Sequence, residues 1–227
     1  MKFSQGIIRN NTYRQSFIFP EMPTFADSLK RLFTNMILPI VAFGHPVLRK
    51  KCEDITPDYP ELNKLIEQMW DTMYNSNGVG LAAPQINRPI RLFVVDTIQI
   101  VEGFDEQDHR DFPDEKPLKK VFINAHKIEE SGTPWAYNEG CLSIPKIRED
   151  VMRGAKVKLS YMDENFQPHT EEFHGVTARV ILHEYDHIDG KLFIDHLPPL
   201  KKRLLKKKLD DISKGKVSVN YRMLYPQ

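Results

Sequence analysis

The run His183-Glu184-Tyr185-Asp186-His187 sets two imidazoles four residues apart. On a helix that spacing projects both rings from one face, where they can grip a single ion. Glu184, one residue on, is near enough to reach a water bound to that ion without being a ligand itself. The pentad follows residues 177–182, whose apolar content reads as a buried helix. Buried imidazoles and a buried carboxylate need partners, and a metal would provide them. The competing reading is a surface helix whose histidines are merely solvated.

A catalytic metal usually keeps one of four positions open for water, so three protein ligands are expected. Cys141 is the candidate, within Glu139-Gly140-Cys141-Leu142-Ser143. Thiolate is a strong ligand for borderline or soft metals, and Gly140 permits close backbone approach. A buried structural thiol, a catalytic nucleophile and a disulfide with Cys52 are the other readings of Cys141. A third segment, Gly78-Val79-Gly80-Leu81-Ala82-Ala83-Pro84-Gln85, joins two glycines to an apolar run ending in an amide. It lacks the third glycine and the preceding strand of a dinucleotide loop.

In this order the three segments resemble the signature motifs of the peptide deformylase family: Gly-x-Gly-Leu-Ala-Ala-x-Gln, Glu-Gly-Cys-Leu-Ser and His-Glu-x-x-His. The resemblance runs from about Met36 to His196 and includes Gly44-His45-Pro46-Val47-Leu48-Arg49. It implies a metal-dependent hydrolase that removes the formyl group from the formyl-methionine of nascent polypeptides and releases formate. Cys141, His183 and His187 would be the metal ligands and Glu184 the general base and then acid. Gln85 and the Leu142 N–H would stabilise the oxyanion. Val79, Gly80 and Gly140 would pair with the substrate backbone as an added strand, with Arg148 near it. Glu139 matches a position whose carboxylate fixes the tautomer of a ligand imidazole. Asp186 is a further candidate for such support, with a plain surface acid as its alternative. Leu182 departs from the glutamine of many relatives, a change in packing behind the metal.

One thiolate and two imidazoles suit Zn2+, Fe2+, Co2+ or Ni2+, and the resemblance implies Fe2+ as the usual metal. A metallopeptidase is the rival enzyme class. It would need a third ligand downstream, His196 or Asp189, and would leave the Cys141 and Gly78 motifs unexplained.

Positioning these residues calls for an α+β fold, mostly antiparallel sheets packed around a central metal-binding helix, with a C-terminal helix. Leu62, Leu65, Ile66, Met69 and Met73 predict a helix over 60–75, begun by Asp58 or Pro60. Residues 78–85 read as a loop and 91–96 as a buried strand. Residues 102–116, with seven acids, read as an exposed loop. Strands are expected over 121–124, 156–162 and 170–173, the last two joined by Asp163-Glu164-Asn165. The metal-binding helix is expected over 176–188. A last helix over 200–213 carries Leu200, Leu204, Leu205, Leu209 and Ile212 on one side and Lys/Arg on the other.

Three parts result: an N-terminal extension at 1–35, poorly ordered, with a helix over 24–33; a catalytic domain at 36–199; and a basic helix and tail at 200–227. The extension faintly resembles a transit peptide, which Glu21 and Asp27 weaken, and Met36 is an alternative start. With 32 Lys+Arg against 31 Asp+Glu, nothing in the total charge suggests a nucleic-acid-coating protein, and DNA is not an expected partner. Nine Lys/Arg against two Asp/Glu lie between Leu200 and Gln227, so the basic character belongs to the tail. That helix is a candidate dock for ribosomal RNA, against an ordinary solvated face. Two cysteines cannot build a disulfide framework, and no apolar run approaches a membrane span. The cytoplasm is the expected compartment, with Cys52 a free thiol.

Overall fold

The computed structural model describes residues 37–226. The N-terminal extension, its helix over 24–33 and the start at Met36 lie outside them.

One five-stranded antiparallel sheet organises the body: β2 (Gly80–Ala82), β3 (Leu92–Asp96), β4 (Lys119–Ser131), β7 (Lys156–Met162) and β8 (Pro168–His174), paired in that order. Helix α1 (Leu62–Asn75) covers one face. The long helix α4 (Gly175–Ile188) covers the other. Strand β3 explains the arrangement locally. Its Leu92 and Val94 pack with Leu65 and Met69 of α1, while Phe93 and Val95 pack with Ile181 and Tyr185 of α4. A strand covered on both sides must be apolar at every position, hence the unbroken run Leu92–Val95. Every residue of α4 from Val176 to Ile188 is buried, as a central helix requires.

A hairpin of β5 (Trp135–Cys141) and β6 (Ile144–Arg153) forms a second, two-stranded sheet. Its inner residues Ile144, Ile147 and Val151 meet Phe193 and helix α5 (Pro199–Ser213) in a third apolar cluster. A short parallel pair joins β1 (Ile40–Val41) to β9 (Met223–Leu224). The fold is α+β with mostly antiparallel sheets around a central helix, as expected.

Several expectations are refined. Helix α1 begins at Leu62, because Glu61 adopts a left-handed φ of 52° immediately before it. The loop expected over 78–85 contains β2 and a 3-10 turn at Ala83–Ile86. Residues 102–116 hold α3 (Glu106–Asp111), preceded by α2 (Ile98–Glu102). Glu115 of that acidic stretch accepts hydrogen bonds from the Val176 and Thr177 N–H groups, at 2.8 and 3.0 Å. It caps α4 from outside, where Gly175 at a φ of +54° leaves room that a Cβ would take. On α5, Leu205, Leu209 and Ile212 are buried, whereas Leu200 and Leu204 are 66% and 72% exposed. At about 100° of rotation per residue the buried three fall within one sector and the other two turn away from it. Cys52 is a buried free thiol.

Candidate metal and catalytic site

Two elements deliver the candidate metal-binding residues to one place. Helix α4 presents His183 and His187 from one face, with ring centroids 5.1 Å apart. The β5–β6 hairpin brings Cys141 across from them. Its register shifts between the pairs Gly140↔Arg148 and Cys141↔Ile144, and this bulge marks where the strand bends to offer the thiol. Sγ of Cys141 stands 3.2 Å from Nε2 of His187. One ligand atom each from Cys141, His183 and His187 lies within 4.8 Å of the others.

This donor set fits a metal on independent grounds. Nδ1 of His183 is engaged by Oε2 of Glu139 at 2.9 Å, which leaves Nε2 for an ion. Burial alone would raise the Cys141 pKa, but the His187 and His183 imidazoles bring it down to about 5, the thiolate form a metal requires. Oε2 of Glu184 is buried with no hydrogen-bond partner in the protein, as is Nδ1 of His187. Buried polar atoms without partners are rare, and here one of them borders a set of metal-type donors.

Behind His183 lies a charged network. Glu139 accepts from Nε of Arg153 at 2.8 Å and from Arg179 at 3.3 Å. Arg153 also reaches Asp186 at 2.5 Å, and Asp186 contacts His196 at 2.7 Å. Burial opposes the charge on Glu139, yet its hydrogen bonds to His183 and Arg153 hold the carboxyl down to about 2. Asp186 is therefore neither a surface acid nor a hydrogen-bond partner of the His183 or His187 imidazoles. It is buried and holds Arg153, which holds Glu139. His196 sits in this outer layer and Asp189 pairs with Arg91 at 3.0 Å. Neither joins the ligand cluster, which removes the support for a metallopeptidase ligand set.

Glu184 is 4% exposed, and burial pushes its carboxyl up to about 7. A Cβ on Gly80 would stand 2.4 Å from its Oε1, so only glycine lets β2 pass this close. Gln85 is fixed through its Oε1, which accepts from the Ala82 N–H at 2.8 Å. Its Nε2 is thereby turned toward Cys141 Sγ, 3.5 Å away, and Ser143 Oγ, 3.3 Å away. A pocket of about 840 Å³ opens from this point, lined by Val79, Gly80, Gly140, Leu142, Arg148 and others. Arg148 lies over Gly140 and bonds Asn138 at 2.8 Å through Nε. The structure thus gathers the anticipated residues into one locality, with Asp186 behind the ligand cluster.

Reading the sequence missed Arg153, Arg179, Ser143 and Tyr221. Arg179 had a signal: an arginine inside an apolar helical run needs a buried acid. Tyr221 had none, since its partner is the Leu142 carbonyl at 2.8 Å, 79 residues away in the chain.

A family model described as polypeptide deformylase matches residues 37–203. The chain is 55% identical over 193 residues to a peptide deformylase of Christiangramia forsetii, covering 84% of this chain and 97% of that one. It is 52% identical over 188 residues to one of Flavobacterium psychrophilum, with 83% and 96% covered. Among solved structures, a peptide deformylase from Legionella pneumophila superposes with a TM-score of 0.64 at 34% identity, covering 79% of this chain and 97% of that one.

Proposed function

The chain belongs to the polypeptide deformylase family, a metal-dependent hydrolase that removes the N-terminal formyl group from new polypeptides, and we propose a division of that work among its residues. The observation that supports it most is the buried Cys141 sulfur and two imidazoles with an unpartnered glutamate beside them.

Cys141, His183 and His187 would hold one divalent cation, with Glu139 fixing the His183 tautomer. When bound, the cation supplies Lewis acidity that brings the pKa of water toward neutrality. Glu184 takes the proton of the attacking water and passes it to the departing amine. As the water oxygen bonds to the formyl carbon, Gln85 Nε2 and the Leu142 N–H receive the charge growing on the carbonyl oxygen. The C–N bond then breaks, giving formate and a free N-terminus. Backbone groups of Val79, Gly80 and Gly140 align the peptide as an added strand, with Arg148 beside it, and Asp186 supports Glu139 through Arg153. The tight site admits the smallest acyl group by sterics.

Two variants test these roles. Glu184→Ala retains metal and fold but loses turnover of a formyl-methionyl peptide by about 10³-fold; wild-type-like turnover would remove Glu184 from the mechanism. Cys141→Ala loses bound metal, and full occupancy would take Cys141 out of the ligand set. Parent protein should cleave formyl-Met but neither acetyl-Met nor internal peptide bonds.

The ion is Fe2+ on this reading, in a cytoplasmic enzyme. Anaerobic purification with elemental analysis and an assay of each metal form tests the first. No helix among the described residues is long and apolar enough to cross a membrane. The exposed Arg203, Lys206 and Lys207 of α5, near exposed Leu204, support docking on ribosomal RNA. Reversing those three charges should weaken ribosome binding and flatten its salt dependence; unchanged binding would sink this part.

A further inference from the structure

Beyond α5 the chain turns at Gly215, φ +71°, and residues 218–221 run along the pocket that holds Gly80, Cys141 and Glu184. It then enters β9 beside β1. Two contacts, one of them from this segment, converge on the turn that follows Cys141. The Tyr221 hydroxyl donates to the Leu142 carbonyl at 2.8 Å. The N–H of Phe43, just past β1, donates to the Ser143 carbonyl at 2.8 Å. Consecutive carbonyls of the turn are thus held by residues that flank two strands, and those strands pair with each other. The Tyr221 ring and the Leu142 side chain pack on the same apolar cluster, with Met73 and Leu81. Leu142 Cδ1 would lie 2.9 Å from a Cβ on Gly78, so the leucine packs into space that only glycine leaves open.

We propose that Tyr221 is a positioning residue for deformylation: by anchoring the Leu142 carbonyl it fixes the Leu142–Ser143 peptide plane and, through the shared Leu142 Cα, steadies the preceding Cys141–Leu142 plane whose N–H is aimed at the developing oxyanion. The inference rests on the reading of Leu142 as an oxyanion donor. An oxyanion donor works because it is oriented before charge appears, and hydrogen bonds weaken steeply as they lose alignment. Freeing the carbonyl lets both planes rock without removing the donor. The rate loss is then smaller than the roughly 10²-fold of deleting a donor outright, about five- to tenfold. Burial pushes the Tyr221 hydroxyl above the usual phenol range, so it remains a donor across the working pH range.

Tyr221→Phe removes the hydroxyl and keeps the ring. Metal-loaded parent, Tyr221→Phe and Gln85→Ala are assayed on a formyl-methionyl tripeptide at a temperature where circular dichroism shows each fully folded, with metal content matched. The expected result for Tyr221→Phe is a kcat lower by about five- to tenfold with KM within about twofold. Its Leu142 backbone order parameter by NMR falls while those of β3 stay unchanged. A kcat within twofold of the parent, a rise in KM alone, or an unchanged Leu142 order parameter overturns the proposal. If Gln85→Ala loses rate while Tyr221→Phe does not, Tyr221 alone is excluded. If Gln85→Ala also keeps its rate, the oxyanion reading falls and takes this inference with it.

Discussion

Two cysteines in one protein meet opposite fields. Cys52 is buried where desolvation dominates, and its thiol is pushed up to about 11. Cys141, also buried, is brought down to about 5 by His187 and His183. The thiolate is the nucleophile, so in chelator-stripped protein at neutral pH iodoacetamide should label Cys141 first, restored metal should protect it, and Cys52 should react only on unfolding. Comparable labelling of Cys52 in the folded protein would contradict this, and mass spectrometry of the alkylated peptides reads it directly. At this scale the sequence was most legible where chemistry demands local spacing. His183 and His187 declare themselves because four residues make one helical turn, and Glu184 is adjacent. Arg153 was invisible because its meaning lies in Glu139 and Asp186, which reach it across 14 and 33 residues.

Among the elements, periodicity served where a face is apolar and failed where a buried position is charged. Helices α1 and α4 and strands β3 and β7 were legible from their apolar repeats. The β5–β6 hairpin was not, because the most buried residue of β5 is Glu139, a charge where a strand's inner face is normally apolar. The acidic stretch misled for a related reason. Its composition is that of a solvated loop, yet Glu115 satisfies two N–H groups at the start of α4. A carboxylate there meets unpaired donors and the positive end of the helix dipole together. Glu115→Ala should therefore lower unfolding free energy by about 1–2 kcal/mol, while Glu115→Gln recovers part of it. Urea unfolding measures this, and equal midpoints for parent and Glu115→Ala would show that the cap contributes nothing.

For the whole molecule, the network of Glu139, Arg153, Arg179 and Asp186 ties the hairpin to the central helix in the interior. Burial disfavours both carboxylates, but the bonds of Glu139 to His183 and Arg153, and those of Asp186 to His196 and Arg153, outweigh it. Both pKa values are lowered, Glu139 from 4.5 to about 2. Groups with depressed folded-state values add stability that is complete above their ordinary values and is lost as pH falls through the folded ones. Metal-free parent should therefore lose stability between pH 4.5 and about 2. Arg153→Met should cost about 3–5 kcal/mol at neutral pH, because it strands two buried acids, and should show a shallower acid slope. Thermal melts across that pH range decide it; parallel slopes would detach the network from acid stability.

The β1–β9 pairing has a consequence in time as well as space. Ile40 and Met223 are partners at opposite ends of the described chain, so their ladder cannot form until nearly all of it has been made. The sheet, α1 and α4 can assemble earlier, from strands and helices already available. The grip on the turn after Cys141 must wait for Tyr221 to emerge. In a protein that acts on new polypeptides, the turn after Cys141 is thus anchored by a tyrosine made 79 residues later than the carbonyl it holds.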